Sequence, residues 1–293
     1  MPLLQPLSRL LRPRRYRFAA AGAALASVLA AAGCGQLAQK ERELTFRIEP
    51  GNASWYSGIP EGLVEKYIPV GNGEERLHTW WWPAEREHAP TLLYLHGARW
   101  NLTGHLPRIA LLRDLGFSVL AIDYRGFGRS GGELPSERTV YEDARIAWAY
   151  LVGLQPDPAR RFVYGHSLGG AVAIELATAL DAQDAGGVIV ESTFTSLADV
   201  ARSLSYPWLP LQLVMSQRFD SVSKISRVDL PLLVVHGSED RVVSPHFGAK
   251  LYEAAGGSKR LLMVEGAGHN NGMRLAQREF REALGELFPI PAL

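Results

Sequence analysis

The feature that most restricts this chain is an alternation that runs from residue 91 to residue 288. "TLLYLHG", "FSVLAIDYRG", "RFVYGHS", "GGVIVES", "PLLVVHGSED" and "RLLMVEG" are short apolar runs, each ended by glycine or a polar residue. Runs of that length without polar alternation belong to strands buried on both faces, as a parallel sheet requires. Between them, "LPRIALLRDLG", "SERTVYEDARIAWAYLVGL" and "LGGAVAIELATAL" carry helical spacing, with further helical segments near 245–255 and 272–286. The second of these helices is entered through Ser136, a residue type that caps helix N-termini. Strand alternating with helix predicts a doubly wound, mostly parallel α/β sheet. Upstream, "VEKYIPV" and "RLHTWWWP" flank Gly71-Asn72-Gly73 and predict a hairpin.

The first 33 residues stand apart. Arg9, Arg12, Arg14, Arg15 and Arg17 precede "FAAAGAALASVLAAAG", a run of small apolar residues. Charged start, short apolar core and small residues before a cut describe a secretory signal peptide. The run is shorter than the roughly 20 apolar residues of a spanning helix. It ends at Cys34, the only cysteine of the chain. "AAGC" resembles a bacterial lipobox, with Ala31 where leucine is more usual, which implies lipidation of Cys34 and a cell-envelope location. Gly35 in place of aspartate implies outer-membrane sorting in a Gram-negative cell. A plain signal peptide, a retained N-terminal anchor helix and a twin-arginine signal, faintly matched by Arg14-Arg15, remain alternatives. Residues 34–60 are expected to form a tether and lead-in, and 61–293 the folded domain. The net charge is +1, but without the five leading arginines it is 26 basic residues against 30 acidic. That balance points away from nucleic acid. One cysteine permits neither an intrachain disulfide nor a cysteine metal site. The expected mature chain is long enough to stand on its core alone.

Gly165-His166-Ser167-Leu168-Gly169 fits G-x-S-x-G and falls between a predicted strand and a predicted helix. That is the setting of a nucleophile elbow, a turn so sharp that only glycine fits on either side of the serine. The serine then meets a helix N-terminus, where backbone N–H groups favour developing negative charge. Such a serine needs a base and the base needs an acid, in the chain order Ser, Asp or Glu, His. His269 lies in the glycine-rich loop "VEGAGHNNG" after the last strand, whereas His246 is explained by a surface position. Asp240 follows the preceding strand, with Glu239 as a solvated neighbour and His236 as a strand-end structural histidine. The N–H of Leu168 and that of Ala98, or of Gly97, are the candidate oxyanion donors. His96 is expected to bond loop backbone. "GFGRSGG" lacks the lysine of a phosphate-binding loop and reads as a structural loop beside the elbow.

Taken together, H-G, D-Y-R-G-x-G-x-S, G-H-S-L-G-G, H-G-x-x-D-x-x-V and G-x-G-H resemble the α/β-hydrolase family in order and spacing, over about residues 60–288. "HGARWN", "DYRGFGRS" and "ESTFTS" are most similar to its serine-aminopeptidase-like and depalmitoylase-like branch. Ala98-Arg99-Trp100 replaces the centre of that branch's usual H-G-N-A-G-N loop, so its substrates are not carried over.

These residues imply an exported serine hydrolase acting on esters or thioesters, with no cofactor and no metal. Peptidase or amidase action, transacylation to envelope lipids and a non-catalytic envelope binding protein are the alternatives. The expected partners are a small or lipid-like acyl substrate and a membrane, through the lipid anchor. An apolar cluster from Tyr206 to Met215 interrupts the alternation and predicts a lid over about 195–229. Trp100, Trp208 and Met215 are its candidate pocket residues, and an ordinary surface helix pair is the other reading of the interval.

Overall fold

A computed structural model describes residues 35–204 and 215–288; Cys34 and Trp208 lie outside them. Helix α1 occupies 35–46. From Arg42 onward the chain forms one compact unit.

Eight strands form one sheet in the order β1-β2-β4-β3-β5-β6-β7-β8. Strands β1 (Val64–Val70) and β2 (Glu75–Trp82) make the antiparallel hairpin expected around Gly71-Asn72-Gly73. β2 joins the sheet antiparallel to β4 (Ser118–Ile122). The remaining strands, β3 (Thr91–Leu95), β5 (Arg161–His166), β6 (Gly187–Glu191), β7 (Leu232–Gly237) and β8 (Lys259–Val264), pair in parallel. Every residue of β3, β4, β5, β6 and β7 is buried, which is why their sequences are unbroken apolar runs. This is the doubly wound α/β fold that the alternation predicts.

Helices cover both faces: α2 (Leu102–Asp114), α3 (Glu137–Leu154), α4 (Leu168–Ala177), α5 (Leu197–Leu204), α6 (Val222–Ile225), α7 (Pro245–Ala254), α8 (Gly272–Leu275) and α9 (Gln277–Leu287). α3 starts where the sequence places it. The Ser136 side chain accepts from the Thr139 N–H, and the Thr139 hydroxyl oxygen accepts from the Ser136 N–H, a reciprocal cap. Among the described residues no helix is long and apolar enough to cross a membrane.

The lead-in does more than connect. Phe46 is fully buried in the same apolar cluster as Leu95, Tyr124 and Phe219. Removing a ring so placed costs about 3–5 kcal/mol. The Arg99 N–H donates to the Phe46 carbonyl at 2.7 Å, and the Glu49 N–H donates to the Arg99 carbonyl at 2.8 Å. The Asn101 amide donates to the Gly51 carbonyl at 2.7 Å. Residues 46–51 therefore brace the loop after β3, although they lie within the span the sequence reads as tether.

Strand order turns back on itself at β3, with β4 on one side and β5 on the other. Ligands of open α/β sheets bind beyond the carboxyl ends of strands at such a reversal. The loops after β3, β5, β7 and β8 all leave from that edge.

Candidate active site

β5 feeds α4 through Ser167, whose backbone lies at φ 54° and ψ −120°. A non-glycine residue there carries strain of about 1–3 kcal/mol and persists only where its surroundings hold it. Three bonds do so. The Ser167 N–H donates to the Glu191 carbonyl at 2.9 Å, the Gly170 N–H donates to the Ser167 carbonyl at 2.9 Å, and the Thr193 hydroxyl donates to that same carbonyl at 2.8 Å. The flanking glycines are sterically required. A Cβ on Gly165 would collide with the Gly169 carbonyl, and one on Gly169 with the Leu95 carbonyl.

The structure brings Ser167, Asp240 and His269 together. His269 Nε2 is 3.1 Å from Ser167 Oγ, across 102 positions of sequence. Its Nδ1 is 2.8 Å from Asp240 Oδ2. Asp240 is buried, and its Oδ1 accepts the Val242 and Val243 N–H groups at 2.9 Å each. Burial pushes the Asp240 carboxyl up, but side-chain hydrogen bonds with His236 and His269 and the Val243 N–H outweigh it. The carboxyl is held well below the usual carboxylate range. His236, fully buried, bonds the Val243 carbonyl through Nε2 at 3.0 Å, which fixes the far side of the Asp240 turn. Glu239 is exposed and His246 is exposed, as expected.

Gly97 packs against Ser167: a Cβ there would come within 3.2 Å of the Ser167 Cβ. Among the described residues neither the Ala98 nor the Leu168 N–H has an intrachain acceptor. The loop that holds Ala98 is fixed from behind. His96 Nδ1 is 2.6 Å from the Gly97 carbonyl oxygen, and the Tyr124 hydroxyl donates to the His96 carbonyl at 3.2 Å. Asp123 Oδ1 accepts the Leu102 N–H at the start of α2 at 2.9 Å. The segment "DYRGFGRSGG" is thus a scaffold for this loop.

Of the candidate pocket residues, Trp100 lines a cavity that Asn270, the residue after His269, also lines. Met215 departs from expectation. It lines a separate cleft with Ser196, Asp199 and Arg218 that none of Ser167, Asp240 and His269 reaches. The reason is its neighbour Gln217, whose side-chain oxygen accepts the Glu137 N–H at 2.6 Å and draws the chain onto the start of α3.

Two features escape the sequence. His166, the variable position of G-x-S-x-G, is fully interior. Its Nε2–H donates to the His269 carbonyl at 3.0 Å, tying the elbow to the His269 loop. Burial, then the charge of Arg108, hold its pKa well below the ordinary histidine value, so the ring is neutral. Beneath it lies a buried ion pair, Arg108 Nε to Glu191 Oε2 at 3.1 Å, with the Tyr164 hydroxyl donating to the same carboxylate. Arg108 and Glu191 are 83 positions apart, and no local pattern joins them. Their only signal is chemical: two charged residues at positions that the periodicity assigns to the interior.

Known proteins carry the same arrangement of elements. A family model described as serine aminopeptidase, S33 matches residues 86–224. The alpha/beta hydrolase domain-containing protein 17B of Xenopus tropicalis is 33% identical over 225 residues, 75% of this chain and 74% of that one. The lysophosphatidylserine lipase ABHD12 of Danio rerio is 31% identical over 233 residues, 71% of this chain and 60% of that one. In solved structures, the Pyrococcus furiosus esterase Pf2001 superposes with a TM-score of 0.63 at 20% identity, covering 81% of this chain and 94% of its own. With esterase and lipase neighbours, and with this sheet order and these loops, the chain belongs to the α/β-hydrolase family.

Proposed function

We propose that the chain is a serine hydrolase that cleaves carboxylic esters or thioesters through an acyl-enzyme intermediate. The observation that carries this reading is the continuous contact from Ser167 Oγ through the His269 ring to Asp240. Ser167 Oγ attacks the acyl carbonyl carbon, and its proton passes to His269 Nε2. Asp240 fixes the tautomer with Nδ1 protonated and stabilises the imidazolium. The Leu168 and Ala98 N–H groups receive the oxyanion. His269 then gives the proton to the departing alcohol or thiol. Water, deprotonated by His269, attacks the acyl-enzyme and releases the acid. The lipase and the esterase among the relatives support acyl chemistry of this kind.

The test is labelling with a fluorophosphonate, followed by activity on p-nitrophenyl esters of graded chain length, thioesters and aminoacyl anilides. Wild type should be labelled and Ser167→Ala should not. Equal labelling of both, or of neither, overturns the assignment of Ser167. Turnover of anilides in preference to esters moves the reading to a peptidase.

The N-terminal features support a second part of the proposal: export behind a signal peptide of residues 1–33 and lipid anchoring through Cys34 in a bacterial envelope. Cells fed radiolabelled palmitate should label the full chain and not Cys34→Ser. A mature protein beginning at Gly35 without lipid defeats it.

A further inference from the structure

A cavity of about 350 Å³ opens between the loop that carries Ala98 and the loop that carries His269. Its walls include Trp55 and Trp100, set edge to face with ring centroids 5.1 Å apart. Asn270, next to His269 in sequence, lines it, as do Arg108 and Arg274. Among the described residues no acidic one lines it. Arg274, on α8, is exposed and has no ion-pair partner among the described residues. Arg108 is 8% exposed and its charge is matched inside by Glu191, 3.1 Å from its Nε, so the unmatched charge of the cavity is that of Arg274. An apolar cleft with few polar groups of one charge is the usual form of a ligand site.

The chemistry of the triad fixes which part of a substrate would lie there. His269 delivers its proton to the departing oxygen or sulfur, so the alcohol or thiol portion leaves on the side of the His269 loop. Asn270, the residue after His269, lines the cavity, which ties it to that loop. We infer that this cavity is a leaving-group subsite for an acyl ester whose alcohol portion pairs an apolar or aromatic body with a terminal anionic group, carboxylate or phosphate. The Trp55 and Trp100 rings take the body, and Arg274 takes the charge. This rests on the serine-hydrolase reading for its orientation, but not for the existence of the site.

Two measurements on the full chain keep the two readings apart. The first is hydrolysis of 4-acetoxybenzoate and 4-acetoxyphenyl phosphate against the uncharged methyl 4-acetoxybenzoate, in wild type and Arg274→Gln. Comparing the anionic-to-neutral ratio of kcat/KM between the two proteins cancels the intrinsic reactivity of each leaving group. That ratio should fall about tenfold in Arg274→Gln, the low end for one charge-assisted contact. It should also fall in wild type as salt rises, because Arg274 is exposed. The second is calorimetric binding of 4-hydroxybenzoate and 4-hydroxyphenyl phosphate, the cleavage products, which needs no catalysis. Both should bind wild type more tightly than Arg274→Gln by a similar factor, and whichever anion shows the larger factor is the one the subsite favours. Product binding without hydrolysis of any ester supports the subsite and sinks the hydrolase reading. Hydrolysis with an unchanged ratio, together with product binding indifferent to Arg274→Gln, overturns the subsite and leaves the hydrolase reading standing.

Discussion

Two histidines in this molecule are held by an aspartate in nearly the same way. His269 Nδ1 is 2.8 Å from Asp240 Oδ2, and His78 Nδ1 is 2.9 Å from Asp123 Oδ2. The difference lies at the other nitrogen. His269 Nε2 faces the hydroxyl of a residue held in a strained elbow. His78 Nε2 faces the Glu65 carboxylate at 3.0 Å, and Glu65 is itself held by Arg129 through both oxygens. One ring therefore has a neutral, transferable proton before it. The other is closed between two acids and can only hold β1, β2 and the loop after β4 together. A histidine–aspartate pair is thus common structural material; the third partner and the turn that presents it make it a candidate catalyst.

The largest effect that separates the two pairs is expected at the serine. Ser167→Ala should fold, since alanine adds no bulk at the elbow, and ester turnover should fall by about 10⁶, the scale seen when a triad serine is removed. Comparable turnover in Ser167→Ala would erase the contrast between the two pairs.

Next comes the acid. Asp240→Asn keeps the shape but favours the wrong imidazole tautomer, so kcat should fall by about 10⁴. The pH profile sharpens this. Asp240 has a folded pKa below its unfolded value of about 3.9, so its charge and the stability it contributes are present above that pH. Both are lost only as the pH falls through the lower, folded value. The deficit of Asp240→Asn should accordingly persist at every pH from about 5 upward, because the carboxylate that the variant lacks stays charged there.

A smaller effect is expected at His166, which acts through His269. His166→Phe fills the space but cannot donate to the His269 carbonyl. Displacing that loop should lower kcat by about 10- to 100-fold, within the range that a 1 Å misplacement costs, with KM little changed. His166→Gln, which keeps a donor, should recover part of the loss. A change in KM alone, or in thermal stability alone, would assign His166 to packing.

The smallest catalytic effect belongs to the second pair. His78→Gln should leave kcat within about twofold while lowering stability by about 1–3 kcal/mol, the range for leaving buried partners unpaired. Thermal denaturation and ester turnover read the two quantities separately. A kcat deficit like that of Asp240→Asn would break the comparison from its other side.

The sequence determined the elements and their order. The apolar runs from Thr91 to Gly237 are strands buried on both faces, as their composition requires, whereas β8 at the sheet edge buries only Val264; Gly165 and Gly169 left room for one kind of turn around Ser167. Chain order then named Asp240 and His269, because each closes a strand that ends on the same edge. These are local properties: period, turn sterics and position along the chain. Only the tertiary structure decided which charges meet inside. Arg108 and Glu191 pair across 83 positions, and His166 reaches the His269 carbonyl across 103. Residues 46–51, irregular in sequence, brace the loop of Ala98 through two backbone bonds and the Asn101 amide, contacts that no periodic pattern encodes. Met215 lies away from Ser167, Asp240 and His269 for the same reason: the Gln217 side chain and the Arg218 N–H both bond Glu137 at the start of α3. Hydrogen bonds and ion pairs between distant segments depend on where the sheet sets those segments down, and a sequence read along its length carries no record of that placement.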